Sequence, residues 1–265
     1  MYAFNYHRPS SLDDAAKKTS EVEDGKLLAG GMSLLPSMKL RLSAPSDLVD
    51  LGGVDGLKGI SVSGKTVTIG AMTRHVEVQN SAEVQKAIPA LAALAGGIGD
   101  PSVRNRGTIG GSIAHSDPSA CYPSAVLGLG ATVETNKRKI AGDDFFIGLF
   151  ETALEPDEII KAVHFPVPDA AGYEKFPQPA SGFAMVGAFV ARFGKDFRVA
   201  VTGAKDHVFR APEMEKALSA NFSPDAVAGI ALPADDMMSD IHCSAEYRAH
   251  LVTVITKRAV AKAAG

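Results

Sequence analysis

The stretch Thr108-Ile109-Gly110-Gly111-Ser112-Ile113-Ala114-His115-Ser116-Asp117-Pro118-Ser119, read together with Ala29-Gly30-Gly31-Met32-Ser33-Leu34-Leu35-Pro36, decides the fold. Each segment joins a glycine pair to a small hydroxyl side chain. Paired glycines let a backbone come close to a ligand and turn its N–H groups toward an anion. Two such turns can clamp the two halves of one pyrophosphate. That points to a dinucleotide cofactor held between two lobes, without a Rossmann motif. Taken singly, each segment also reads as a plain turn or a helix cap. The pairing carries the reading.

Outward from the first turn, residues 26–29 form a short apolar strand that feeds it, and residues 48–51 form a second strand. Ser11-Leu12-Asp13-Asp14 has the form of a capped helix start. A β-α-β unit therefore fills roughly the first 55 residues, and 1–55 is taken as a first lobe. From Ile60 the chain alternates apolar and polar around Ser63-Gly64-Lys65, which reads as a hairpin. Thr73 reads as the N-cap of a short helix, and Pro89 divides a helical stretch over 82–94. A helix is expected from about 119 to 129, then strands at 131–133 and 158–165. Residues 56–170 form the second lobe. Residues 166–182, rich in Pro, Gly and Ala, read as a linker into a C-terminal α+β domain, 171–265. That domain opens on a hairpin over 183–202 and continues in helices at 211–220, 224–231 and from 245 onward.

Bulk composition excludes several classes. The 265 residues are 46% apolar and 22% charged with a net charge of −3, so no basic face neutralises nucleic-acid phosphates. The longest apolar runs, 87–99 and 183–193, are too short or too broken to span a bilayer. The opening residues lack the basic-then-apolar order of a secretory signal, so a cytoplasmic location is expected. The two cysteines, Cys121 and Cys243, are too few for a four-cysteine iron–sulfur or zinc site and read as free buried thiols. The seven histidines are scattered and form no metal motif.

Gly59-Ile60-Ser61-Val62-Ser63-Gly64-Lys65-Thr66 satisfies the P-loop expression. A P-loop needs a buried strand before it and a helix opening at the lysine. Here β-branched, alternating residues follow, so Gly64-Lys65 reads as a hairpin tip. Arg104-Asn105-Arg106 reads as a solvated basic loop, or as groups facing a partner or the cofactor. Tyr173 and Lys175, in the expected linker, read as a hinge contact or as a cover for a flat ring.

At these residues the chain resembles the FAD-binding medium subunits of molybdenum hydroxylases, the family of carbon monoxide dehydrogenase medium subunits and the xanthine dehydrogenase flavin domain. The resemblance runs through Phe4-Asn5-Tyr6-His7-Arg8-Pro9, both glycine segments, Ile69-Gly70-Ala71-Met72-Thr73-Arg74-His75 and Ala180-Ser181-Gly182-Phe183-Ala184-Met185-Val186-Gly187. It implies an α+β, two-lobed FAD-binding fold of the PCMH, or vanillyl-alcohol-oxidase-like, type with a small α+β C-terminal domain. By the same resemblance Ser33, Leu34 and Leu35, with Gly30 and Gly31, hold the pyrophosphate, and Ala29 and Met32 beside them belong to the cofactor site. Thr108, Gly111 and Ser112 meet the pyrophosphate from the other lobe, and Ala114 belongs to the same cofactor site. Gly70, Ala71 and Thr73 line the ring pocket, Ile98 lies on one face of the isoalloxazine, and Tyr173 or Lys175 lies near the other side. Similar sequences carry an aspartate for the ribose hydroxyls where Cys121 stands here. Loss of a charge-assisted bond there weakens binding by about 1.5–3 kcal/mol unless a neighbour such as Asp117 compensates.

The implied function is electron transfer from [2Fe–2S] clusters on a small subunit, through FAD on this chain, to an external acceptor. A large molybdopterin subunit holds the substrate site, and the assembly is a dimer of heterotrimers. Two alternatives stay open: a self-contained flavin oxidoreductase of the same fold, and a non-catalytic partner subunit that has lost tight FAD binding.

Overall fold

A computed structural model describes all residues, 1–265. Three sheets organise the chain. The first is parallel, with strand order β1-β3-β2, and is built from β1 (Asn5–His7), β2 (Gly25–Leu28) and β3 (Asp47–Asp50). Helix α1 (Leu12–Ser20) crosses from β1 to β2, its N-cap Ser11 accepting from the Asp14 N–H, and α2 (Leu34–Lys39) crosses from β2 to β3. Sequence pattern alone missed β1, whose residues are mostly exposed and carry no apolar alternation. It is pinned from the side, by His7 Nε2 at 2.7 Å from the Asp47 carboxylate and by Tyr6 donating to Asp50.

The second sheet is antiparallel. Hairpin β4 (Ile60–Ser63) and β5 (Thr66–Gly70) turns at Gly64, whose φ of +57° suits glycine. The P-loop expression is thus a hairpin. Helices α3 (His75–Asn80), α4 (Ala82–Ala87), α5 (Pro89–Gly96), α6 (Pro101–Arg106), α7 (Ile109–His115) and α8 (Tyr122–Gly128) follow. Pro89 begins α5, where its missing N–H costs nothing. Strands β6 (Thr132–Thr135) and β7 (Lys139–Ala141), the short pair β8 (Phe146–Gly148) and β9 (Glu151–Thr152), and β10 (Ile160–Pro166) complete this part. The sheet order is β4-β5-β10-β6-β7.

Four sequence expectations are corrected here. Arg104-Asn105-Arg106 is the end of helix α6, capped by Asp100, and not a loop. The second glycine pair lies inside the first turn of α7, with Thr108 as N-cap, and not in a free turn. Thr73 does not cap α3. Its hydroxyl is held by Gly59, accepting from the N–H at 3.0 Å and donating to the carbonyl at 3.1 Å. The helix expected over 224–231 is a single 3-10 turn, Pro224–Val227.

The expected linker is also a strand. β11 (Ala170–Pro177) is the edge of a third, antiparallel sheet with β12 (Ala184–Phe193), β13 (Asp196–Thr202) and β14 (Phe209–Arg210). Helices α9 (Pro212–Ala220) and α10 (Ala245–Ala264) finish the chain. Both faces of this sheet are buried. Val186, Ala188 and Val190 of β12 face α9 and α10, while Phe189 and Ala191 belong to the core of the second sheet and its helices. Burial on both sides explains the near-continuous apolar run of β12. It also explains why 166–182 is not a hinge: Tyr173 pairs with Phe189 and shares the core beneath it.

Candidate cofactor cavity

After β2 the chain passes through Ala29, Gly30, Gly31 and Met32 into α2. Gly31 has φ +74°, a left-handed conformation open to glycine. Gly30 lies flat on the junction of α6 and α7: a β-carbon there would stand 2.3 Å from the Arg106 carbonyl oxygen. A β-carbon on Gly111 would stand 3.3 Å from that of Ala29. The two glycine segments are therefore neighbours across one cavity.

Their donors are unequal. The N–H groups of residues 30–33 precede α2 and meet no protein acceptor, and Ser33 makes no side-chain cap. The N–H groups at the start of α7 are already engaged. Ile109 and Gly110 donate to the Thr73 and Ala71 carbonyls at 3.1 and 2.8 Å, and Gly111 donates to the Thr108 hydroxyl at 3.2 Å. The first turn thus presents a row of free donors, a shape suited to phosphate oxygens. The second supplies a smooth, side-chain-free wall and a helix start.

The cavity between them has a volume of about 610 Å³. Its wall includes Ala29, Gly30, Gly31, Met32, Ser33 and Leu34 on one side and Thr108, Gly111, Ser112 and Ala114 on the other. Ala71, Ile98, Asp117, Cys121 and Lys175 extend it. Four of the expected residues lie off the wall. Leu35 packs behind Gly31, Gly70 is pressed against the Leu57 backbone, Thr73 turns to Gly59, and Tyr173 is buried against Phe189.

Lys175 spans three wall segments. Its Nζ donates to the Gly97 carbonyl at 2.7 Å, to the Gly182 carbonyl at 2.5 Å, and approaches Cys121 Sγ at 3.6 Å. Arg104 does similar work nearby, donating to the carbonyls of Ile98 and Gly99 at 3.1 and 2.9 Å. These contacts fix the segment that carries Ile98.

Several wall residues were not among the expected site residues. His75 is buried, and burial, with Arg104 nearby, lowers its pKa to about 4, so it stands neutral at pH 7. Glu158 lies in the wall with its carboxylate accepting from Arg138 at two points, from Thr135 and from the Glu155 N–H. The Arg138 hydrogen bond, against burial, lowers the Glu158 pKa to about 2. Its lone pairs are occupied, which makes it a brace and a poor proton acceptor. At the rim, the Phe150 ring lies tilted against that of His115, centroids 5.0 Å apart, with φ +54° at Phe150, and Phe183 stands half exposed. These residues come together through β10, the β8–β9 pair and the loop before β12, which no spacing in the sequence announces.

Residues 2–168 match the family model described as the FAD binding domain in molybdopterin dehydrogenase. The chain belongs to that family. It is 38% identical to the nicotine 6-hydroxylase medium subunit of Paenarthrobacter nicotinovorans, over 98% of this chain and 97% of that one. It is 36% identical to the carbon monoxide dehydrogenase medium chain of Hydrogenophaga pseudoflava, over 97% and 96%. A chain in the structure of reconstituted CO dehydrogenase from Oligotropha carboxidovorans superposes with a TM-score of 0.90 at 33% identity, covering 99% of this chain and 98% of that one. The family is one of FAD-binding medium subunits of oxidoreductases, so the α+β fold and the flavoprotein class that the resemblance implied hold. No group of three or more potential metal ligands occurs in this medium subunit, and no helix is long and apolar enough to cross a membrane.

Proposed function

We propose that this chain binds FAD in the cavity between its glycine segments and works as the electron-transfer subunit of a molybdenum hydroxylase. The observation that carries the reading is the row of unpaired N–H groups at residues 30–33, in a segment whose Ala29 lies against Gly111 of α7. A pyrophosphate there satisfies donors that otherwise lack partners. Ser33 and Ser112 stand beside it with hydroxyls, and α7 points its positive end inward. Ile98 offers an apolar surface for a flat ring, held in place through Arg104. Lys175 fixes the wall opposite and brings a positive charge to it.

Bound FAD supplies the redox chemistry, exchanging electrons with one-electron and two-electron partners. The chain's own part is to bind, orient and shield the ring. His75 contributes a neutral face at pH 7, and Glu158 a braced carboxylate. The electrons come from [2Fe–2S] clusters on a small subunit, the substrate site lies on a large molybdopterin subunit, and the assembly is a cytoplasmic dimer of heterotrimers.

The test is a titration of the flavin-free chain with FAD, followed by flavin fluorescence and the visible spectrum, and repeated after affinity purification of the tagged chain from its source cells. Saturable binding with a shifted flavin band, and co-purification of molybdenum- and iron-containing chains, is the expected result. Absence of saturable binding to both the free chain and its purified assembly overturns the reading.

A further inference from the structure

One cluster in the cavity wall has chemistry that cofactor binding does not use. Cys121 borders the cavity, and the Lys175 ammonium stands 3.6 Å from its sulfur. Tyr173 approaches the same sulfur from the core side. This tyrosine is 7% exposed, and its hydroxyl finds no hydrogen-bond partner. The two-residue period of β11 puts Tyr173 and Lys175 on one face, so one strand aims both donors at Cys121. Sulfur is a weak acceptor. An oxygen bonded to that sulfur would accept from both.

We propose that Cys121 is an oxidisable thiol that reacts with hydrogen peroxide, its sulfenate product being held by Lys175 and Tyr173. The sulfur of the deprotonated thiol attacks one peroxide oxygen. The S–O bond forms, the O–O bond breaks, and the departing hydroxide takes up the thiol's proton to leave as water. Sulfur loses two electrons and peroxide gains two. The first product is the sulfenic acid, which gives its proton to solvent to become the sulfenate; Lys175 faces the negative charge on sulfur before the reaction and on the new oxygen after it. Burial, with Cys121 beside it, raises the Tyr173 pKa well above its ordinary value, so the phenol stays a donor throughout. The other cysteine provides an internal contrast: Cys243 is as buried as Cys121, each 4% exposed, but it lies in the C-terminal core away from this cavity, where burial raises its thiol pKa. The new oxygen also projects toward the space assigned to FAD, a consequence that rests on the proposed function.

The experiment exposes the full-length, flavin-free chain to hydrogen peroxide with dimedone present and locates the adduct by peptide mass spectrometry. Cys121 is expected to label at least about tenfold faster than Cys243, and K175M to slow it about tenfold, with K175R restoring part of the rate. Circular dichroism of K175M and K175R shows whether each is folded, and Y173F, which keeps the ring, is a second probe expected to shorten the lifetime of the sulfenate. Equal labelling of the two cysteines, no adduct at Cys121, or an unchanged rate and lifetime in folded K175M and Y173F overturns the proposal. Protection of Cys121 by saturating FAD supports both readings. Fast, Lys175-dependent labelling that FAD leaves unchanged supports the thiol site and counts against the FAD site.

Discussion

Gly30 and Arg106 touch backbone to backbone: a β-carbon on Gly30 would lie 2.3 Å from the Arg106 carbonyl oxygen and 2.8 Å from the neighbouring Gly107 Cα. That contact joins the parallel sheet to the α6–α7 junction and sets the width of the cavity. Neither neighbour is a flexible side chain, so a methyl group there forces the two segments apart.

Gly30→Ala is therefore expected to cost about 1–3 kcal/mol of stability and to weaken FAD binding by about tenfold or more. Gly64→Ala is the control. It lies at the β4–β5 tip with open space around it and φ +57°, so it costs about 1 kcal/mol through backbone strain and leaves FAD affinity unchanged. Thermal melts and flavin fluorescence titrations of both variants check this. Equal losses of affinity would contradict the assignment of Gly30.

Glu158 is depressed from 4.5 to about 2 in the folded chain. Its contribution is fully present above pH 4.5 and is lost as pH falls toward 2, because the unfolded state takes up the proton first. Glu158→Gln should lower stability at pH 7 by about 2 kcal/mol, and the gap to the parent chain should close in acid. Urea melts at pH 7 and pH 3 measure the difference. A gap that persists undiminished at pH 3 would show that the charge is not its source.

His75 has a folded pKa of about 4 against an ordinary 6.5. The depressed value means its neutral form stabilises the fold above pH 6.5, and this is lost as pH falls through 4. Replacing it with Phe should flatten the pH dependence of stability between those limits. NMR titration of the His75 ring gives the pKa directly, and a value near 6.5 would refute its burial as a neutral group.

Tyr173→Phe removes a buried hydroxyl that has no partner, so stability should hold or rise slightly. The ring faces the core beside Phe189 and not the cavity, so FAD affinity should stay within about twofold. A larger loss, read by fluorescence titration, would return Tyr173 to the cofactor wall.

The sequence announced elements whose causes are local. Gly64-Lys65 between alternating strands, Pro89 at a helix start, and glycine pairs with hydroxyl neighbours all act within a few residues. What stayed hidden depends on packing between distant segments. β1 is an exposed strand recruited by His7–Asp47 and by pairing with β3. Residues 170–177 resemble a linker in composition, yet their alternate side chains enter two different cores. The wall positions of Glu158 and Phe150 follow from the approach of β10 and the β8–β9 pair to α7, and that of His75 from α3 lying against Gly107 at the α6–α7 junction, which no spacing in the chain encodes. The second glycine pair was legible as a close-approach site. Its capture inside α7 became visible only with Thr108 as cap and the Ala71 and Thr73 carbonyls as acceptors.

The most direct measurement is an amide ¹⁵N–¹H titration of the full chain with FAD. The account predicts large shifts at Gly30, Gly31, Met32 and Ser33, smaller ones at Gly111 and Ser112, and none at Gly64 or at Gly194, which turns between β12 and β13. Saturation with FAD while the four amides of the first turn stay unmoved would contradict it.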